Sequence, residues 1–185
     1  KKYVPKPMEQ MQYPGQRVQI DVKFVPLSCI TTKGERYYQF TAIDEYSRLR
    51  YLEAFEEHST YSAAVFLKNA MAFFKKHGFD IECVQTDNGM EFTNRFSSSK
   101  HNKPTLFEVS LCQMGLRHKL IRPYTPRHNG KVERSHREDQ KRFYSCRSFY
   151  SFQDFAAQLA VYLRRVNSIP MRPLYYKSPL VFLSA

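Results

Sequence analysis

Apolar and polar residues alternate strictly over 17–24, where Val18, Ile20, Val22 and Phe24 interleave with Arg17, Gln19, Asp21 and Lys23. That two-residue period predicts a β-strand. Further strands are predicted over 36–43 and 48–55, with Asp44-Glu45-Tyr46-Ser47 as the polar turn between them, and the short connections imply an antiparallel meander. The period then changes. Ala63, Phe66, Ala70, Phe73, Phe74 and His77 recur at helical spacing after Ser59 or Thr60, and Gly78 closes the helix. A short strand over 81–85 runs into Thr86-Asp87-Asn88-Gly89, residues 93–105 read as a loop, and a helix over 106–114 stops at Gly115. A strand over 116–121, a loop punctuated by Pro123 and Pro126, and a long polar helix over 129–146 follow. Ser151, with Asp154 three residues on, opens the last helix, whose apolar stripe includes Phe155, Leu159, Tyr162 and Val166. The order βββαβαβαα predicts an α/β fold: a five-stranded mixed sheet, three strands antiparallel and then two parallel, flanked by helices.

A chain of 185 residues with 42% hydrophobic content fits one globular domain. It opens at Lys1 on a proline-containing stretch and reads as a fragment, with 1–16 a linker from an upstream domain, 17–170 the core, and 171–185 a tail packing on or leaving it. The four cysteines (Cys29, Cys83, Cys112, Cys146) form no C-x-x-C pair and no zinc spacing. Cys83 and Cys112 have apolar neighbours and are expected to be buried thiols in a reducing compartment. No apolar run reaches membrane-spanning length, so no membrane partner is expected, and the chain reads as a soluble, intracellular protein.

Charge changes the picture. The formal net charge is +12, and residues 117–147 hold ten basic side chains against three acidic ones. An excess of this kind favours polyanions through phosphate contacts and counterion release.

Three acids stand out against it. Asp21 lies mid-strand, Asp87 just past a strand that follows a crossover helix, and Glu133 near the start of the long polar helix. Singly, they read as an exposed strand charge, a turn residue and an acid complementing a helix dipole. Together they can converge at one edge of the sheet, where ligands of open α/β folds bind. Hard divalent cations take oxygen ligands and leave positions open for water and phosphate.

The ordered set Gln19-Ile20-Asp21, Thr86-Asp87-Asn88-Gly89-Met90-Glu91-Phe92 and Pro126-Arg127-His128-Asn129-Gly130-Lys131-Val132-Glu133-Arg134 resembles the integrase catalytic core of bacterial insertion-sequence DDE transposases, a core shared with retroviral integrases. The likeness runs from about Tyr13 to Leu183 and takes in Asp44-Glu45-Tyr46-Ser47 and Lys177-Ser178-Pro179. It implies an RNase H-like fold and a catalytic triad of Asp21, Asp87 and Glu133 holding two Mg²⁺ or Mn²⁺ ions. It also implies hydrolysis at the ends of a DNA element, transfer of the freed strand to target DNA, and work as a homo-oligomer, at least a dimer. Asp21 would bridge both metals, with Asp87 and Glu133 each holding one. Forty-five residues separate Asp87 from Glu133, more than is usual in the family, and the 96–105 loop is the expected site of the excess.

Arg137 stands four residues after Glu133 and Gln140 seven, on one helix face. Lys131, Arg134, Arg137, Lys141 and His128 are the candidate DNA contacts, with ordinary surface charge as the other reading. Asn129 reads as a helix cap, Asp44 as a turn residue, and Glu91 as a neighbour of the site rather than a ligand; no histidine is given a catalytic role. Two further functions stay open: an RNase H-like nuclease, and a domesticated, non-catalytic DNA-binding module.

Overall fold

The computed structural model describes residues 9–96, 103–122 and 129–184. Strands β1 (Val18–Phe24), β2 (Tyr38–Asp44), β3 (Arg50–Phe55), β4 (Cys83–Thr86) and β5 (Arg117–Leu120) form one sheet in the order β3-β2-β1-β4-β5. β1 pairs antiparallel with β2, and β2 with β3, whereas β4 runs parallel to both β1 and β5. This is the mixed sheet that the periodicities predict. Reversal after each hairpin needs only a turn, but each parallel step needs a crossover, supplied by helices α1 (Thr60–Lys76) and α2 (Leu106–Gln113).

The helix signals act as read. The Ser59 hydroxyl accepts from the Ser62 N–H at the start of α1, and Gly78, at φ +93°, takes the left-handed turn that ends it. At α2 the residue assigned to the loop, Thr105, is the cap: its hydroxyl accepts from the Glu108 N–H while the Glu108 carboxylate accepts from the Thr105 N–H. The polar helix α3 (Gly130–Arg142) is shorter than predicted. At Phe143, φ −123°, the chain leaves the helix and makes a 3-10 turn over Tyr144–Cys146, which lets both Phe143 and Tyr144 turn into the core. Helix α4 (Phe152–Asn167) is capped by Ser151, and a short helix α5 (Pro179–Leu183), absent from the predicted order, is capped by Ser178.

Both faces of the sheet are covered. On one, Val18, Ile20, Phe40, Ala42 and Val84 pack against Phe66, Leu67, Ala70 and Phe74 of α1 and Phe107 and Leu111 of α2. Cys83 is buried, as expected, but Cys112 is exposed. The residues of α2 that reach the core are Phe107 and Leu111, one turn apart, and Cys112 follows them round the helix toward solvent. On the other face, Leu52, Phe143, Phe149, Phe155, Leu159 and Val166 form a second cluster beneath α4. Truncating a wholly buried phenylalanine such as Phe66 or Phe155 costs about 3–5 kcal/mol.

The polar positions of β1 therefore do not all look into water. Gln19 is buried and Asp21 half-buried, because α3 lies over them. Alternation assigned them correctly to one face, but the cover on that face comes from residues more than a hundred positions away.

Candidate carboxylate site

Register brings the first two acids together. β1 and β4 are parallel, with Gln19 beside Gln85. Asp21 and Asp87 each stand two residues beyond that pair, at neighbouring positions along the same edge. Asp21 Oδ1 accepts from the Val22 N–H at 2.9 Å, and Asp87 Oδ1 accepts from the Gly89 N–H at 3.0 Å, the geometry of an Asx turn. Glu133 is brought in by α3. The Val132 N–H donates to Gln19 Oε1 at 3.1 Å, which pins the first turn of the helix over β1 and places the next residue, Glu133, beside the Asp21 edge.

The electrostatics record the crowding. Burial first, then the charge of Asp87, with Glu133 and Glu91 adding, pushes the Asp21 carboxyl up to about 7, against the opposing hydrogen bond from Val22. Burial and the Glu91 charge also raise Asp87, while the Gly89 N–H and His58 oppose the rise. Glu91 is thus a fourth acid at this edge. Its carboxylate folds back over Gly89, where a Cβ would stand 2.5 Å from Oε2, so a side chain at that position would displace the Glu91 carboxylate. His58 Nε2 lies 2.9 Å from Glu91 Oε1, and this contact raises the imidazole above its ordinary range.

Behind Asp21 runs a buried polar network. Asp139, one face of α3 with Val132 and Ser135, takes a two-pronged ion pair from Arg50 of β3 at 2.9 and 2.6 Å and a hydrogen bond from the Tyr162 hydroxyl of α4 at 2.9 Å. Burial resists its ionisation, but the Arg50 charge and hydrogen bonds outweigh that and hold the carboxyl below the ordinary range. Gln39 donates to both Asp139 Oδ2 and Thr41 Oγ1 and accepts from the Tyr144 hydroxyl. His136 contacts Thr41 Oγ1 through Nε2 at 3.0 Å and Asp21 Oδ2 through Nδ1 at 3.5 Å. Burial pushes His136 down to about 3, so the ring is neutral.

Sequence reading passed over both histidines. His136 carried a usable signal, since it stands three residues after Glu133 on a helix; His58 carried none, because its place depends on how the β3–α1 turn folds back. Asn129 also departs from expectation. It stands at the start of α3 but makes no side-chain cap bond, and its Oδ1 instead accepts from Gln85 Nε2 of β4 at 3.2 Å. Asp44 does serve the hairpin, accepting from the Ser47 N–H and hydroxyl and from the Gly15 N–H. His77 binds the Phe73 carbonyl at the end of α1.

The candidate DNA contacts divide. Arg134, Arg137 and Lys141 lie with Glu138 along one exposed stripe of α3, lining a shared surface pocket beside Glu133. Lys131 is engaged elsewhere: its ammonium lies 2.5 Å from Glu45 Oε2, in a half-buried cluster with Arg17. His128, with Arg127 and the Pro123 and Pro126 loop, lies outside the described residues, as does 97–102 within the loop expected to house the long interval.

As donors, Asp21, Asp87 and Glu133 fit Mg²⁺ or Mn²⁺: all offer carboxylate oxygen, and a divalent cation relieves the repulsion that raises Asp21. Among the described residues, no group of three or more Asp, Glu, His or Cys side chains is drawn together closely enough to hold an ion as it stands. No helix among them is long and apolar enough to cross a membrane.

A model of the integrase core domain matches residues 12–126, and a second integrase core domain model matches 114–173. The ORF3 integrase described for Spiroplasma virus SpV1-C74 is 34% identical over 130 residues, 68% of this chain and 35% of that protein. The retrovirus-related Pol polyprotein from transposon TNT 1-94 of Nicotiana tabacum is 28% identical over 158 residues, 83% of this chain and 11% of the polyprotein. The chain thus spans about a third or less of the length of these relatives. Among solved structures, the HTLV-2 integrase catalytic core domain in complex with magnesium aligns at TM-score 0.62 and 16% identity, covering 91% of this chain and 96% of that one. The catalytic core domain of BIV integrase aligns at TM-score 0.61 and 18% identity, with 92% and 95% covered. The fold is RNase H-like, and the chain belongs to the integrase core domain family, within the superfamily of the retroviral integrases.

Proposed function

We propose that this chain is the catalytic core of an insertion-sequence transposase or integrase that cuts and joins DNA by a divalent-metal DDE mechanism. The observation that carries this reading is the parallel register that sets Asp21 and Asp87 at neighbouring positions on one sheet edge, with the first turn of α3 pinned over β1 by the Val132–Gln19 bond; burial and the charges of Asp87 and Glu133 push Asp21 up to about 7. A structural acid is ordinarily paired with a cation, as Asp139 is with Arg50. Among the described residues no lysine or arginine is ion-paired with Asp21, and the charges of Asp87 and Glu133 bear on it instead.

Asp21, Asp87 and Glu133 are the residues that would hold two Mg²⁺ or Mn²⁺ ions. When bound, such a pair activates the attacking oxygen and stabilises the leaving one in an in-line phosphoryl displacement. Arg134, Arg137 and Lys141 would hold the DNA backbone alongside, as exposed cations do at phosphates. Lys131 brings less, because Glu45 already neutralises it. The substrates of this reading are element ends and target DNA, and the working form is a homo-oligomer, at least a dimer.

Glu133→Gln tests it. The variant should fold and bind DNA as the parent does while losing Mg²⁺-dependent cleavage and strand joining by a factor of a hundred or more. Joining at the parental rate would remove Glu133 from the triad. An RNase H-like nuclease would cut RNA–DNA hybrids in preference to DNA ends, which a side-by-side cleavage assay separates.

A further inference from the structure

We propose that His136 is a positioning residue for Asp21, holding its carboxylate in the orientation that receives a metal ion. The proposal rests on the reading of Asp21 as a metal ligand.

The direction of donors through the buried network sets the tautomer of His136. Asp139 is ionised, so both its oxygens only accept. The Gln39 side-chain nitrogen must therefore face it, and that same nitrogen gives its second hydrogen to Thr41 Oγ1 at 2.9 Å. Thr41, wholly buried, keeps its hydroxyl proton to give, and His136 Nε2 stands 3.0 Å away. At the other end, Asp21 Oδ2 lies 3.5 Å from His136 Nδ1. With Thr41 donating to Nε2, the single hydrogen of the neutral ring is on Nδ1, where the ionised Asp21 that a metal needs accepts it. One neutral tautomer satisfies both ends: Thr41 donates to Nε2, and Nδ1–H points at Asp21.

Register makes the device rigid. Asp21 and Thr41 are directly paired across β1 and β2, so their side chains stand side by side on one face. His136 reaches both from α3, the helix that carries Glu133 one turn earlier. The Asp139–Arg50 ion pair fastens that helix to β3 one turn later. A metal-ligating carboxylate depends on such outer partners, whose loss typically weakens metal affinity by about 10–100-fold. At 3.5 Å the pair is longer than an ordinary N–H···O hydrogen bond, and the proposed positioning has Asp21 turn toward the ring to close it.

The experiment is Mn²⁺ titration of the chain, read by loss of the free-ion paramagnetic resonance signal, for the parent, Asp21→Asn, His136→Ala, His136→Asn and Thr41→Val. His136→Ala should weaken Mn²⁺ binding about tenfold or more. His136→Asn, whose amide can donate from nearly the same place, should recover most of it. Thr41→Val, which keeps the shape but removes the hydroxyl that sets the tautomer, should weaken binding to a smaller degree. The ¹⁵N shifts of His136 should report a protonated Nδ1 and a bare Nε2 in the parent, with the preference lost in Thr41→Val. If Asp21→Asn binds Mn²⁺ like the parent, or the parent binds none, the metal-ligand reading fails and takes this proposal with it. If Asp21→Asn loses binding while folded His136→Ala or Thr41→Val binds like the parent, only the positioning role is overturned. Should His136→Ala fail to fold, Thr41→Val and His136→Asn decide the matter.

Discussion

Asp21 holds its charge at a cost. An ordinary aspartate titrates near 3.8, whereas this one is raised to about 7 by burial and by Asp87, Glu133 and Glu91. Between those two values the folded chain binds a proton that the unfolded chain has already lost, so this residue's contribution to stability falls as pH rises from about 4 to about 7 and stays low above. Without metal, Asp21→Asn should therefore stabilise the protein at pH 8, by up to roughly 4 kcal/mol from the free energy of that gap. The gain should shrink to nothing near pH 4, as measured by urea unfolding in a chelator. An equal midpoint for parent and variant at pH 8 would mean that Asp21 sits in no hostile field. Asp87 was readable from its Asx turn, and Asp21 from strand alternation joined to a motif. The charge crowding itself was not readable, because it depends on the Gln19–Gln85 register between strands more than sixty residues apart.

At the scale of the element, α3 has an unusual composition for a helix that covers a sheet. Between Gly130 and Arg142 its only apolar side chain is Val132, and its buried positions include Ser135 and Asp139. Tertiary polar bonds hold it where apolar stripes hold α1 and α4. The Asp139–Arg50 pair is the chief fastening, and Asp139→Asn should cost about 3 kcal/mol, since Arg50 keeps its buried charge and loses its counter-ion. Because the Asp139 carboxyl is held below the ordinary range, that contribution is complete at neutral pH and is lost only in acid, as pH falls through the folded-state value. A variant with parental stability at pH 7 would show that α3 is fixed by other contacts. A sequence in which polar residues recur without an apolar period reads as a solvated helix, and hence the inward face of α3 was not visible. Its outward stripe was, through Arg134, Arg137 and Lys141.

Across the whole molecule, charge is arranged by the fold. The net +12 is offset in part where Arg17 and Lys131 meet Glu45 and where Arg50 meets Asp139. It is left standing on the outer stripe of α3, at Arg134, Arg137 and Lys141. In the proposed function, Arg137→Ala should weaken DNA binding and reduce the salt slope of log K by about one, with Lys131→Ala doing less. An unchanged slope for Arg137→Ala would return that residue to ordinary surface charge.

What the sequence determined by itself is the part that short-range physics writes. Period two gave β1, period three to four gave α1 and α4, and Ser59, Gly78 and Ser151 gave helix ends, because each depends on residues within one or two turns. The order of elements then limited the sheet to a meander followed by crossovers. Tertiary structure decided the rest: that α3 lies polar face inward over β1, that Asn129 bonds Gln85 instead of capping, that Cys112 faces outward, and that His58 and His136 join the acids. Those outcomes turn on distances between segments far apart in the chain. No local pattern encodes such distances; the strand register and the fastening of α3 do.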